Sequence, residues 1–398
     1  MRFASGKKNL IDISKTGCGS PKSLKLRMNR NDHWYKIYNS DEIDSPALVM
    51  YPSRMKENIA RLKSMIDDPL RLRPHVKTHK TREATLMMMK AGIQKFKCAT
   101  IAEAEMLGSV AAPDVLLAYQ PTGPKIQRFI SLIQQYFTTS FSCLVDDAKT
   151  AAAISAAAIK AKMVIAVYID LNVGMNRTGI ALTRAFELYE ICFSLDGIQP
   201  VGLHFYDGHI REEDIGQRRL ACRELIFHVK RLRSRLVESG FEKPKIVAGG
   251  SPTFSIYAGE EDMECSPGTF ILWDLGYQQA FPDQNFLIAA LVITRIISLP
   301  AKNKICIDMG YKSIASENVI NNRVHFLDAP DLKLLSHSEE HMVLEVPGRH
   351  SWKIGDLLYA LPIHICPTCA LYESASIAEG GKVTGHWKII ARDRRIIF

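Results

Sequence analysis

Between Ala47 and Asp274, short β-branched and apolar runs alternate with longer stretches whose apolar positions recur every three or four residues. The first run, 47–51, leads into a helix predicted over 53–66, where Met55, Ile59, Leu62 and Ile66 share one face. Eight strands are then expected, at 72–77, 96–100, 115–118, 142–145, 164–170, 201–205, 245–247 and 270–273. Helical stretches separate most of them, including an alanine-rich one over 148–161 and a long basic one over 218–239. Strands alternating with helices in this number fit a (β/α)8 TIM-like barrel, which gathers its functional residues at the C-terminal ends of the strands. Lys77, Asp170, Tyr206 and the Gly249-Gly250-Ser251 turn all fall at such ends. A doubly wound sheet is the alternative arrangement. Past Gln279 the texture changes. Apolar runs at 286–296, 304–308, 342–346, 356–362 and 387–391 are broken by Gly, Pro and Asn turns, which predicts a β-rich second domain. The α/β chain thus divides into an extension over 1–33, a barrel with its lead-in over 34–278, and a β-rich C-terminal domain over 279–398.

Composition narrows the function classes. The net charge of +9 invites a nucleic-acid reading, but residues 1–30 hold eight basic side chains against one acid, so +7 of that +9 sits in those thirty residues. The body is nearly neutral and has no basic stripe interleaved with aromatics, so nucleic acid is not an expected partner. The extension, basic and acid-poor, has neither the amphipathic period of an organelle presequence nor the apolar core of a secretory signal. With no uninterrupted apolar stretch of about 18 residues, a membrane span is not expected either. The nine cysteines are odd in number, scattered and mostly inside apolar runs, as reduced core thiols of a cytoplasmic protein would be.

Three segments offer chemistry. Arg73-Pro74-His75-Val76-Lys77-Thr78-His79-Lys80-Thr81 puts a lysine where a strand gives way to a helix, beside other cations. Desolvation and neighbouring charge would lower its pKa and free an amine for Schiff-base formation with an aldehyde such as pyridoxal phosphate; a solvated basic turn is the plainer reading. Gly249-Gly250-Ser251 after a strand can offer backbone N–H groups to a phosphate, or be an ordinary glycine-rich turn. His364-Ile365-Cys366 lies in an apolar, β-prone run, so imidazole and thiol are expected on one strand face, roughly 7 Å apart. Nitrogen and sulfur donors suit zinc. Two further strand ends carry polar groups. Arg177 can clamp a carboxylate, bias a cofactor ring or pair with Asp170, while Tyr206 can stack on a ring and His209 can relay protons or be structural.

Pro74-His75-x-Lys77-Thr78-His79-Lys80 near the start and Pro362-x-His364-x-Cys366-Pro367-Thr368 near the end together resemble the D-threonine aldolase and D-serine dehydratase family, of the alanine-racemase-like pyridoxal phosphate fold. Further anchors follow in order from about Trp34 to the C-terminus: Asp44-Ser45-Pro46-Ala47, Val173-Gly174-Met175-Asn176-Arg177-Thr178-Gly179, Gly202-Leu203-His204-Phe205-Tyr206-Asp207-Gly208-His209, Ser266-Pro267-Gly268-Thr269 and Ile307-Asp308-Met309-Gly310-Tyr311. The resemblance implies that Lys77, rather than Lys80, holds pyridoxal 5'-phosphate, with Lys80 facing solvent. It implies His75 and His209 as catalytic neighbours, and Arg177, Tyr206, Gly249, Gly250, Ser251, Thr269 and Tyr277 as cofactor or substrate contacts, Thr269 and Tyr277 lying in the segment that resembles the family's last barrel strand. It implies a divalent metal at His364 and Cys366, zinc before manganese or magnesium, that binds the substrate's β-hydroxyl as a Lewis acid. The implied function is a lyase acting on D-β-hydroxy amino acids, in a homodimer. Cys366, where aldolases of the family often carry aspartate, and Glu212, where some place a histidine, lean toward dehydration. An amino-acid racemase of the same fold is the alternative, and needs a second acid–base group; a non-catalytic cofactor carrier is less consistent with a second domain bearing His-x-Cys.

Overall fold

A computed structural model describes residues 33–397; the basic extension lies, up to residue 32, outside them. Most of the chain before Leu275 winds into a parallel barrel. Strand β1 (Ala47–Met50) precedes it and pairs elsewhere. Strands β2 (Lys95–Cys98), β3 (Asp114–Leu117), β4 (Ser140–Val145), β5 (Ile165–Asn172), β7 (Ile198–Phe205), β8 (Lys245–Ala248) and β9 (Met263–Cys265) lie side by side and parallel, with a two-residue β6 (Ile180–Ala181) beside the end of β5. The ring is closed by residues 72–76. Leu72 bridges to Cys265 and His75 to Lys97, both parallel, and Arg73 N–H donates to the Cys265 carbonyl while Val76 N–H donates to that of Lys97.

Arg73 fixes this closing segment from below. Fully buried, it reaches Glu264 with Nε (2.7 Å) and Asp114 with Nη1 (2.6 Å), pinning 72–76 between the neighbouring strands. A buried guanidinium is tolerable only with such paired, hydrogen-bonded carboxylates. Above it, Leu116, Leu144, Tyr168 and Val247 pack as an apolar layer inside the ring. The helices that return the chain start where side-chain oxygens cap them: Thr81, Thr100, Asp147 and Asp214 each accept from a backbone N–H three residues on. Most expected elements appear within a few residues of their sequence bounds, for example the helices Pro52–Ser64, Ala148–Lys160 and Ile215–Glu238.

The eighth strand is displaced. The sequence pattern puts it at 270–273, but the structure forms β9 at Met263–Cys265 and a 3-10 turn at Thr269–Ile271. Phe270, Ile271, Leu272 and Trp273 are no more than 1% exposed. A run buried on every side has no period that tells strand from turn, and Pro267 without an N–H ends the ladder before it.

The remainder is a second, mostly antiparallel sheet. Its strands are β10 (Ala290–Ala301), β11 (Lys304–Ile307), β12 (Val324–Phe326), β13 (Lys333–His337), β14 (Met342–Glu345), β15 (Leu357–Pro362), β16 (Ser374–Glu379) and β17 (Lys382–Lys388). β1 belongs here, antiparallel to β10 and parallel to β16, so the chain lays one strand in this sheet before it builds the barrel. Strand β15 ends at Pro362 and delivers the chain to the open end of the barrel. Among the described residues no helix is long and apolar enough to cross a membrane.

Candidate active site

At the C-terminal ends of the barrel strands lies a cavity of about 570 Å³, lined from both the barrel and the segment after β15. Lys77 opens onto it from the turn that follows the closing segment, its Nζ 5.6 Å from the centre of the Tyr206 ring. Behind it His75 is 8% exposed, and its Nδ1 accepts the Lys77 backbone N–H at 3.2 Å. Burial, with the charges of Lys77 and Lys97 next, holds His75 well below the usual imidazole range, so the ring is neutral. Arg177 stacks on the same Tyr206 ring at 4.8 Å. It is not the partner of Asp170, whose carboxylate instead accepts from Nδ1 of His204 at 2.7 Å. Lys80 does not simply face solvent: its ammonium is paired with the buried carboxylate of Glu103.

The glycine turn is shaped for close approach. Gly249 has φ +61°, and a Cβ there would meet Thr253 and Tyr257 at 2.7 Å; a Cβ on Gly250 would come within 2.9 Å of Tyr206. Asp207 braces the turn from behind, accepting hydrogen bonds from Thr253 Oγ1 and Tyr257 Oη. Ser251 Oγ accepts the N–H groups of Gly268 and Thr269, both at 3.1 Å, and so holds the two cavity-lining loops together. Ser266, on the cavity wall, has a buried hydroxyl with no partner within the described protein. A buried polar orphan beside a left-handed glycine turn and a half-buried lysine fits a phosphate-bearing aldehyde such as pyridoxal phosphate.

His364 and Cys366 do reach the cavity, but not from a strand. His364 caps the short helix Ile365–Leu371, and Cys366 is in its first turn. Pro367 explains the change: it cannot donate to a sheet ladder and is well tolerated in a first helical turn. The two side chains still meet. Burial alone would lower the imidazole and raise the thiol, but their mutual hydrogen bond and charge win, so His364 is raised to about 9 and Cys366 lies below the ordinary thiol range. Glu317 accepts from Nδ1 of His364 at 2.5 Å, which leaves Nε2 to face Cys366. Thr78 Oγ1 lies 3.1 Å and Thr269 Oγ1 3.6 Å from the Cys366 sulfur. Among the described residues no group of three or more His, Cys, Asp or Glu is arranged to hold a metal. The pair therefore offers two donors and an orienting carboxylate, a donor set suited to an open site completed by small molecules.

Tyr277 lines the cavity wall, stacked on Trp273 with ring centres 5.3 Å apart. His209 is not brought in. It is exposed beyond the Gly208 turn, its ring against Gly174, because the inward position of this segment is taken by Asp207. The cavity also takes in residues to which the sequence assigns no role, among them Lys97, Glu103, His204, Ser266 and Arg211. Of these Lys97 had a weak signal, a charge between the apolar Phe96 and Cys98 in the strand Lys95–Cys98. Glu317 is separated from His364 by 47 residues and had none.

Residues 51–274 match the family model described as alanine racemase, N-terminal domain, and residues 289–378 match that of a putative serine dehydratase domain. A D-threonine aldolase of Arthrobacter sp. is 26% identical over 359 residues, covering 88% of this chain and 93% of the relative. A D-threo-3-hydroxyaspartate dehydratase of Delftia sp. (strain HT23) is 24% identical over 372 residues, covering 86% and 96%. Among solved structures, the D-threonine aldolase of Filomicrobium marinum superposes with a TM-score of 0.80 at 22% identity, covering 88% of this chain and 95% of that one.

Proposed function

The chain belongs to the alanine racemase N-terminal domain family, and on that premise we propose that it is a pyridoxal phosphate-dependent, metal-assisted lyase of D-β-hydroxy amino acids. The observation that carries this reading is the convergence of Lys77, the Gly249–Ser251 turn and the His364–Cys366 pair on one cavity. A racemase would use the first two and has no task for the third.

Pyridoxal phosphate held on Lys77 would supply an electron sink for negative charge at the substrate Cα, and a divalent ion on His364 and Cys366 would polarise the β-hydroxyl. The chain's own residues supply the rest. Gly249, Gly250 and Ser251, with Thr269 from the facing loop, would hold the phosphate, and Tyr206 would give the ring a flat wall. Arg177, already fixed on Tyr206, receives the substrate carboxylate with its two-pronged guanidinium. The Lys77 amine, wherever it is not bonded to the cofactor, would stand beside the substrate Cα as its proton acceptor, and His75 behind it is neutral. Tyr277 closes the cavity on the metal side. Zinc suits the imidazole–thiolate pair better than the harder manganese or magnesium.

Dehydration is the favoured outcome. A retro-aldol needs a base that deprotonates the β-hydroxyl, and Glu212 does not line the cavity; it is exposed, with its backbone carbonyl accepting from Arg218. Glu103, the carboxylate on the wall, is already engaged by Lys80. Product analysis on metal-loaded enzyme tests this. D-Serine is expected to give pyruvate and ammonia faster than D-threonine gives glycine and acetaldehyde. Dominant glycine formation would reverse the choice of bond and leave the lyase class standing; no turnover of either would reject the substrate class.

A further inference from the structure

Lys97 is a third lysine in the cavity wall, on β2 rather than in the turn of Lys77 and Lys80, and it is 2% exposed. Its Nζ lies 3.4 Å from Nε2 of His204 and 3.4 Å from the carbonyl oxygen of Gly249. His204, 3% exposed, in turn meets Asp170 through Nδ1 at 2.7 Å. This order fixes the tautomer. With its Nδ1–H given to the Asp170 carboxylate, His204 presents a bare Nε2, so Lys97 donates to it and to Gly249. A lysine has three donors or two and a lone pair, so one position of Lys97 is left over on the cavity side.

We propose that Lys97 is a second cofactor-facing amine of this site, held by the Asp170–His204 pair, and that it sets the protonation of the ring bound in the cavity. The inference rests on the pyridoxal phosphate reading above and deepens it. Such a cofactor uses its aldehyde carbon on Lys77 and its phosphate on the glycine turn. That leaves the polar edge of the ring, its nitrogen and phenolic oxygen, in need of a partner, and a ring's electronics follow the hydrogen bonds made there. Lys97 touches the root of the phosphate turn through Gly249 and lines the same cavity as Lys77.

The charges around it make the amine an exchangeable one. Burial is the largest influence and, with Lys77 and Arg73, favours the neutral form; Asp170 and Asp207 favour the charged form, and the balance brings Lys97 down to about 7. His75, the other titratable group facing it from the closing segment, is neutral, as burial also keeps His204. Lys97 can therefore give up or take a proton at neutral pH, which an ordinary lysine cannot.

The test is a pH titration of the visible band formed when pyridoxal phosphate is added to the full-length protein. Wild type is expected to show an inflection near neutrality. Lys97→Met should still form the band, since Lys77 is intact, but should lose that inflection or move it by about one pH unit or more. Asp170→Asn removes an anion that favours the charged amine, so it should shift the inflection to lower pH, an effect that a merely structural role for Asp170 would not produce. An inflection unchanged in Lys97→Met overturns this proposal and leaves the cofactor reading intact. A wild-type protein that forms no band overturns both. Should Lys97→Met not fold, an inflection unmoved in Asp170→Asn is itself enough to reject the proposal.

Discussion

The carboxylate of Asp274 accepts a hydrogen bond from the backbone N–H of Ile365, 91 residues further on, at 3.0 Å. Its other oxygen accepts the N–H of Tyr277 at 2.8 Å, and the side chain is 2% exposed. One carboxylate thereby caps the helix Leu275–Ala280 and ties the end of the barrel to the turn bearing His364 and Cys366. Burial pushes this carboxyl up to about 6, more than its two backbone donors and the charges of His364 and Arg211 lower it, so at neutral pH it is still an anion. Asp274→Ala orphans both N–H groups, at about 1–3 kcal/mol each. The expected result is a clear loss of stability in urea together with weaker metal binding. Asp274→Asn, which keeps one acceptor, should fall between. Unchanged metal affinity in Asp274→Ala would show that the His364–Cys366 turn holds its shape without the tie.

Lys77 and Lys80 are three residues apart and both line the cavity, yet only Lys80 is engaged by a carboxylate, that of the buried Glu103. An ammonium so paired is a poor nucleophile. Borohydride reduction of the protein with pyridoxal phosphate, followed by peptide mapping, should place the label on Lys77, and Lys77→Ala should abolish the visible band while circular dichroism stays native. A label on Lys80 would transfer the assignment.

Metal and cofactor are held by different residues, so they should be separable. His364→Ala and Cys366→Ala are each expected to lose bound zinc and turnover while the protein remains yellow. Chelation of the wild type should do the same reversibly. Glu317→Gln keeps the contact to His364 Nδ1 but removes the charge; a roughly 10–100-fold loss of metal affinity is expected for such an orienting carboxylate. Full activity in a zinc-free, manganese-free and magnesium-free preparation would reject the site.

Much of this site was legible because its residues come in local clusters. Lys77 with His75, Tyr206 with Asp207, and Gly249 to Ser251 each stand within a few positions at a strand end, and period-two runs mark those ends. The failures have physical causes. Residues 270–273 are buried on all sides, which erases the period that separates strand from turn. His364 and Cys366 lie in a run with strand-like composition, and only Pro367 hinted that the ladder stops. His209 shares a motif with Tyr206, but a tight turn sends neighbours in opposite directions. Lys97, His204 and Asp170 come from three strands, 107 and 34 residues apart, and only barrel closure brings them together.

Lys97 should also leave a mark on folding. Its amine falls from 10.5 to about 7 on folding, chiefly through burial, so the folded state disfavours the charged form. Below pH 7 both states are protonated and the native protein bears the whole cost of a buried cation. Between pH 7 and 10.5 the unfolded chain binds more protons than the native one, so this cost fades as pH rises through that window. Lys97→Met removes the amine and with it the cost. It is therefore expected to raise stability relative to wild type, and to do so by about 2–3 kcal/mol more at pH 6 than at pH 9. Urea denaturation at the two pH values measures the difference directly, free of any bound ligand. If Lys97→Met lowers stability equally at both, the amine's pKa is not depressed and its role as a group that exchanges a proton at neutral pH does not survive.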